Sequence, residues 1–119
     1  MLNRKEMVPS PSGMHNVLSA GTILTGNLVT EDDIRIDGII EGNIVSRGKI
    51  IIGGNGSVIG DIECINLDLM GKITGNVQCD EVVILRSSAN MMGDVKTRTI
   101  EIEPGARFSG SCKMGKEED

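Results

Sequence analysis

Three cysteines, one histidine and a few carboxylate clusters are the side chains of this 119-residue sequence that covalent, metal or acid–base chemistry would use. Cys64, Cys79 and Cys112 are an odd number at wide spacings. They make no disulfide framework, and no Cys-x-x-Cys pair stands ready for zinc or thiol exchange. The single histidine, His15, falls before the repeats begin, so one chain cannot bring three histidines to a metal. Glu31-Asp32-Asp33 and Asp80-Glu81 fall in turns as solvated surface, and nothing pairs them as acid and base. Gly53-Gly54-Asn55-Gly56-Ser57 lacks the Gly-Lys-Ser/Thr ending and the strand-to-helix setting of a phosphate loop, so it reads as a tight turn. No catalytic residue, cofactor, metal or nucleotide site is expected.

The elements around these residues repeat. A glycine returns at Gly26, Gly42, Gly60, Gly75, Gly93 and Gly110, with spacings of 16, 18, 15, 18 and 17. Asn27, Asn43, Asp61, Asn76, Asp94 or Ser111 follows it. Short runs of period two, such as Ile34-Arg35-Ile36 and Ile100-Glu101-Ile102, recur in phase and are bounded by turn residues. No window carries a helical stripe. A unit of two or three short strands, wound once around an axis, stacks like residues about 4.8 Å apart.

Four inward ladders are predicted. They are Leu24/Ile40/Val58/Ile73/Met91/Phe108, Leu28/Ile44/Ile62/Val77/Val95/Cys112, Ile36/Ile52/Leu69/Ile84/Ile102 and the smaller Thr30/Ser46/Cys64/Cys79/Thr97/Met114. In the last, Cys64 and Cys79 lie about 5 Å apart as buried small hydrophobes. The glycine ladder is expected to point inward as well, in a narrow interior or where φ must relax. The Asn or Asp after it fits a corner, bonding nearby backbone.

Composition agrees. The chain has one Phe, no Trp or Tyr, and 16 glycines, which suits thin aliphatic layers. A formal net charge of −5 argues against nonspecific nucleic-acid binding. No segment reaches transmembrane length and no secretory signal precedes Gly13, so a cytoplasmic protein is expected. Residues 1–16 read as a flexible tail, residues 17–114 as the coil domain, and residues 115–119 as a short charged tail. Met1, Leu2, Arg4 and Lys5 mix apolar and basic groups as a weak membrane foot would. The hexapeptide-repeat enzymes, acyltransferases and carbonic anhydrases, need a strict 18-residue coil and histidines in it, whereas the glycine spacing here wanders and the one histidine, His15, precedes the first coil.

A stacked coil has two open ends. Neither is offered a helical cap. Phe108, Cys112 and Met114 occupy the last coil; Val17, Leu18, Ile23, Leu24 and Leu28 occupy the first. Phe108, the one aromatic residue, sets the largest apolar group against the open end. If both ends bind their own kind, a filament results; if one does, a dimer.

At this point the chain resembles the bactofilin family of bacterial polymer-forming cytoskeletal proteins. The resemblance spans about Ser19 to Met114. It is carried by Gly26-Asn27-Leu28, Ile34-Arg35-Ile36-Asp37-Gly38, Gly71-Lys72-Ile73-Thr74-Gly75-Asn76-Val77 and Ile100-Glu101-Ile102-Glu103-Pro104-Gly105-Ala106 with Phe108-Ser109-Gly110. It implies an all-β, single-stranded, right-handed parallel β-helix of triangular cross-section with about six windings. It further implies nucleotide-independent polymerisation through the ends, often into non-polar filaments, with Phe108 at an end contact and Met1 to Lys5 in the place of a membrane-binding peptide. Expected partners are further copies of the chain, cell-wall or morphogenesis proteins and, weakly, the inner membrane. The expected function is a scaffold that positions envelope or cell-shape proteins. The alternative is a dimer or small oligomer tethering an envelope enzyme.

Overall fold

The computed structural model describes residues 16–115. Among them every regular element is a β-strand. β1 (Asn16–Leu18), β2 (Ile23–Thr25) and β3 (Leu28–Thr30) make the first winding, and β4 (Ile34–Ile36), β5 (Ile39–Glu41) and β6 (Ile44–Ser46) the second. β7 (Lys49–Ile52), β8 (Ser57–Ile59) and the first half of β9 (Ile62–Leu69) make the third. The rest of β9, β10 (Lys72–Thr74) and the first half of β11 (Val77–Leu85) make the fourth. The rest of β11, β12 (Asn90–Met92) and β13 (Val95–Thr97) form the fifth, and β14 (Thr99–Ile102), β15 (Arg107–Ser109) and β16 (Cys112–Met114) the sixth. The strand run takes in Asn16, one residue ahead of the expected start.

Every pairing is parallel and joins one winding to the next. One face stacks β1, β4, β7, the second halves of β9 and β11, and β14. A second stacks β2, β5, β8, β10, β12 and β15. The third stacks β3, β6, the first halves of β9 and β11, β13 and β16. Three faces per winding give the triangular section, and the expected six windings are all present.

The core lies along the axis. Ile40, Val58, Ile73 and Met91 are 0% exposed on the second face, in the predicted register. Each such aliphatic side chain stabilises the fold by about 1.5–3 kcal/mol. One ladder departs from expectation. Leu85, not Ile84, follows Leu69 and precedes Ile102, and Ile84 points outward beside Asp68 and Glu101. The register shifts between Cys79 and Val82, where β11 carries one residue more than β9 at the same corner. Glycine spacing counts that residue within the 18 between Gly75 and Gly93 but does not say at which corner it falls.

Two corners hold the windings together by backbone chemistry. The repeating glycines, Gly26 to Gly110, have φ between +130° and +156°. A Cβ on Gly42, Gly60, Gly75, Gly93 or Gly110 would strike the carbonyl oxygen of the repeat glycine one winding earlier. The missing side chain thus faces along the stack, rather than into the interior as expected, and both sign of φ and close approach require glycine. At the adjacent position the side-chain oxygens of Asn27, Asn43, Asp61, Asn76 and Asp94 each accept the N–H of the equivalent residue one winding on, at 2.9–3.1 Å. This ladder satisfies corner N–H groups that a strand would otherwise pair.

Candidate functional site

The same inward position changes character only at the two ends. Ile36, Ile40 and Ile44 are 0% exposed because the first winding covers them. Leu18, Leu24 and Leu28 hold those positions in the first winding and are only half-buried. At the other end Leu85 and Met91 are 0% exposed, whereas Ile102 is 52% exposed, Phe108 half-buried and Cys112 exposed. Met114, over the buried Thr97, is 57% exposed. β1, β2 and β3, and at the far end β14, β15 and β16, pair on one side only among the described residues. Each end therefore presents an apolar triangle rimmed by unpaired strand backbone.

The structure gathers Phe108, Cys112 and Met114 at one end, and Leu18 and Leu24 at the other. It separates Val17 from them. Asn16 and Leu18 alternate inward on β1, so Val17 between them points out of the flank, in register with Arg35. Asn16, on the inward side, donates to Thr30 Oγ1 at 3.1 Å and to the Asp33 carbonyl at 3.3 Å. Ile102 and Ile100 also belong to the last rung, although neither was singled out for an end contact. Met1, Leu2, Arg4 and Lys5 lie outside the described residues.

The ends are chemically unequal. Residues 16–30 contain no charged side chain. On that winding Val17, Ile23 and Val29 point outward, one per face, at 57%, 63% and 73% exposure. The last winding carries Glu101, Glu103, Arg107 and Lys113. The charge-free stretch is legible in the sequence; that it forms one complete winding is not.

Part of the flank charge is consumed within the chain. Arg86 makes a fork with Asp68, Nε to Oδ1 at 2.9 Å and Nη2 to Oδ2 at 2.8 Å, and Nη1 donates to Glu103 Oε2 at 3.0 Å. These bonds, Asp68 first, raise the Arg86 pKa. Asp68 is 7% exposed beneath that fork. Arg35 Nε meets Asp37 Oδ2 at 2.9 Å, and this bond raises its pKa. Arg47, Lys72, Arg98 and Glu101 remain exposed on the flanks. A trough of about 610 Å³ runs along the Asn/Asp corner, lined by Asn43, Asp61, Asn76, Asp94, Glu63 and Lys96 among others. Among the described residues no group of three or more His, Cys, Asp and Glu side chains is placed to hold a metal. Among the described residues no helix is long and apolar enough to cross a membrane.

The family described as "Bactofilin: Polymer-forming cytoskeletal" matches residues 16–113, the entire stack up to the last strand. This chain belongs to the bactofilin family. Myxococcus xanthus bactofilin BacO is 30% identical over 104 residues, covering 87% of this chain and 82% of BacO. Bactofilin BacP of the same organism is 27% identical over 115 residues, covering 97% of this chain but 48% of BacP, so this bactofilin spans about half the length of that relative. Among solved structures, the Thermus thermophilus bactofilin reconstructed by cryo-EM as double helical filaments superposes with a TM-score of 0.81. It is 28% identical and the match covers 84% of this chain and 99% of the other. A crystal structure of an arginine-for-phenylalanine mutant of the Thermus protein gives a TM-score of 0.71 at 26% identity, covering 74% of this chain and 98% of the other. The match establishes the β-helix and a polymer-forming cytoskeletal family for this bactofilin.

Proposed function

We propose that this bactofilin assembles end to end, without nucleotide, into filaments that position envelope or cell-shape proteins at the cytoplasmic face of the inner membrane. The observation that carries the reading is the change in burial along each ladder. Met91 is fully covered by the winding above it, and Phe108 lacks only that cover. A second copy supplies it. Phe108, Ile102, Cys112 and Met114 form one contact and Leu18, Leu24 and Leu28 the other. Burying these apolar rungs and pairing the strand edges both favour stacking. The flanks, with exposed Arg47, Lys72 and Arg98 and the Asn/Asp trough, stay free for client proteins. The filamentous state of the Thermus relative supports the same arrangement.

A second reading is a dimer closed through the first winding alone. The charge-free first winding against the charged last one favours it. Sedimentation and negative-stain electron microscopy of the purified chain, without nucleotide or metal, separate the two. Filaments that vanish in Phe108→Arg support the polymer; a species that stays dimeric at all concentrations in the natural chain overturns it.

A further inference from the structure

One ladder contains a substitution that the fold does not require. At the corner between the third and first faces, Thr30, Ser46 and Thr97 occupy equivalent positions with Cys64 and Cys79 between them. The hydroxyls bond corner backbone. Ser46 Oγ donates to the Asp32 carbonyl at 3.1 Å, and Thr97 Oγ1 donates to the Glu81 carbonyl at 3.2 Å. Each reaches the preceding winding. Cys79 repeats that bond with sulfur: Sγ donates to the Ile65 carbonyl at 3.0 Å and to the Val82 carbonyl at 3.2 Å. A thiol is the weaker donor, so serine or threonine would serve the corner better. Two thiols replace hydroxyls on adjacent rungs, and adjacency is what a disulfide needs.

The geometry allows it. Cys79 and Cys64 are register partners on neighbouring parallel strands, with Cα atoms about 4.8 Å apart. That separation lies within the span of about 4.4–6.8 Å that a disulfide bridges. The register shift directly after Cys79 sets one extra residue of β11 against β9 at this corner. Both thiols are 4% exposed, yet each forms part of the floor of a surface hollow. The one beside Cys79 is about 310 Å³ and includes Lys96 and Arg98 in its wall; the one beside Cys64 is about 280 Å³. A peroxide fits either.

We infer that Cys64 and Cys79 are a modification site, at which a peroxide forms a reversible disulfide joining the third and fourth windings. The Cys79 thiolate attacks one peroxide oxygen. The O–O bond breaks, the departing hydroxide takes up the proton Cys79 released, and Cys79 becomes a sulfenic acid. The Cys64 sulfur attacks that sulfur. The S–S bond forms, the S–O bond breaks, and hydroxide leaves as water with the Cys64 proton. Two thiols lose two electrons in all, and one peroxide becomes two waters. The hydrogen bond between the two thiols lowers the Cys79 pKa and raises that of Cys64.

The test uses the full chain carrying Cys112→Ser, which removes the exposed third thiol. Hydrogen peroxide is added, remaining thiols are alkylated, and peptides are read under non-reducing conditions. The expected product is one peptide pair joined through Cys64 and Cys79, with no link between chains, reversed by dithiothreitol. Oxidation is also expected to raise the thermal midpoint by roughly 5–15 °C, an effect absent in Cys64→Ser. Two alkylated thiols after peroxide overturn the inference. So does Cys79 carried to the sulfinic acid while Cys64 still alkylates. Cys79→Ser keeps the corner hydroxyl seen at Ser46, and the linked-peptide readout needs neither serine variant at these two positions.

Discussion

Phe108 stands in register with Met91, one winding farther along the axis, and that single step takes an inward side chain from fully buried to half-buried. In the proposed stack another copy of the chain covers Phe108, whereas Met91 is covered by its own chain. The two positions therefore separate stability from assembly. Met91→Ala is expected to cost the fold about 2–5 kcal/mol, read from urea melts of unassembled protein. Phe108→Arg is expected to leave the monomer folded by circular dichroism and to abolish pelleting. Equal loss of folding in both variants would contradict the division.

Gly75 and Gly54 give an internal contrast. Gly75 has φ +148°, and a Cβ on it would strike the Gly60 carbonyl oxygen. Gly54 has open space and no positive φ. Gly75→Ala is expected to destabilise by more than about 2 kcal/mol, since neither strain nor clash can be relieved without parting the windings. Gly54→Ala should stay within about 1 kcal/mol of the natural chain. Chemical denaturation midpoints check both.

Asn76 Oδ1 accepts the Asp94 N–H at 3.1 Å, and Asp61 Oδ1 accepts the Asn76 N–H at 3.0 Å. Asn76→Ala removes the first bond and keeps the second. A loss of about 0.5–1.5 kcal/mol is expected, with Asn76→Asp nearly neutral because the accepting oxygen is retained. A neutral alanine variant would mean that water replaces this corner bond at no cost.

Cys112 is exposed on the last winding, and partial burial raises its pKa. Its alkylation should need more alkaline conditions than a free thiol, because a raised pKa leaves less thiolate at a given pH. In the unassembled chain it should still react before Cys64 and Cys79. In assembled protein it should be protected, since the contact proposed for that end covers it. Maleimide labelling followed by peptide mapping reads the difference; equal labelling of Cys112 in filaments and free chains would remove it from the contact.

Much of this architecture is written in the chain as a one-dimensional code. Recurring Gly-Asn and Gly-Asp pairs mark the corner of each winding. Strand alternation marks inward positions, so the second-face ladder from Leu24 to Phe108 can be read directly. The absence of charge between residues 16 and 30 is equally plain. These features are local, and local patterns survive in sequence.

Long-range register decided the remainder. One additional residue at the Cys79–Val82 corner turned Leu85 inward and Ile84 outward, a reversal that follows from strand period two. Alternation on β1 sent Val17 to the flank while Leu18 kept the open end. Nothing near Asp68 along the chain marks its partner, because Arg86, 18 residues away, lies over it. The purpose of the glycines was ambiguous until the preceding winding's carbonyl appeared where a Cβ would go. For Leu85, Asp68 and the glycines the deciding partner sits about one winding away. The sequence by itself determined the repeat, the polymer-forming family it resembles and the charge-free stretch of residues 16–30. Only the tertiary structure decided which side chains meet, because stacking brings together atoms whose separation along the chain varies from winding to winding.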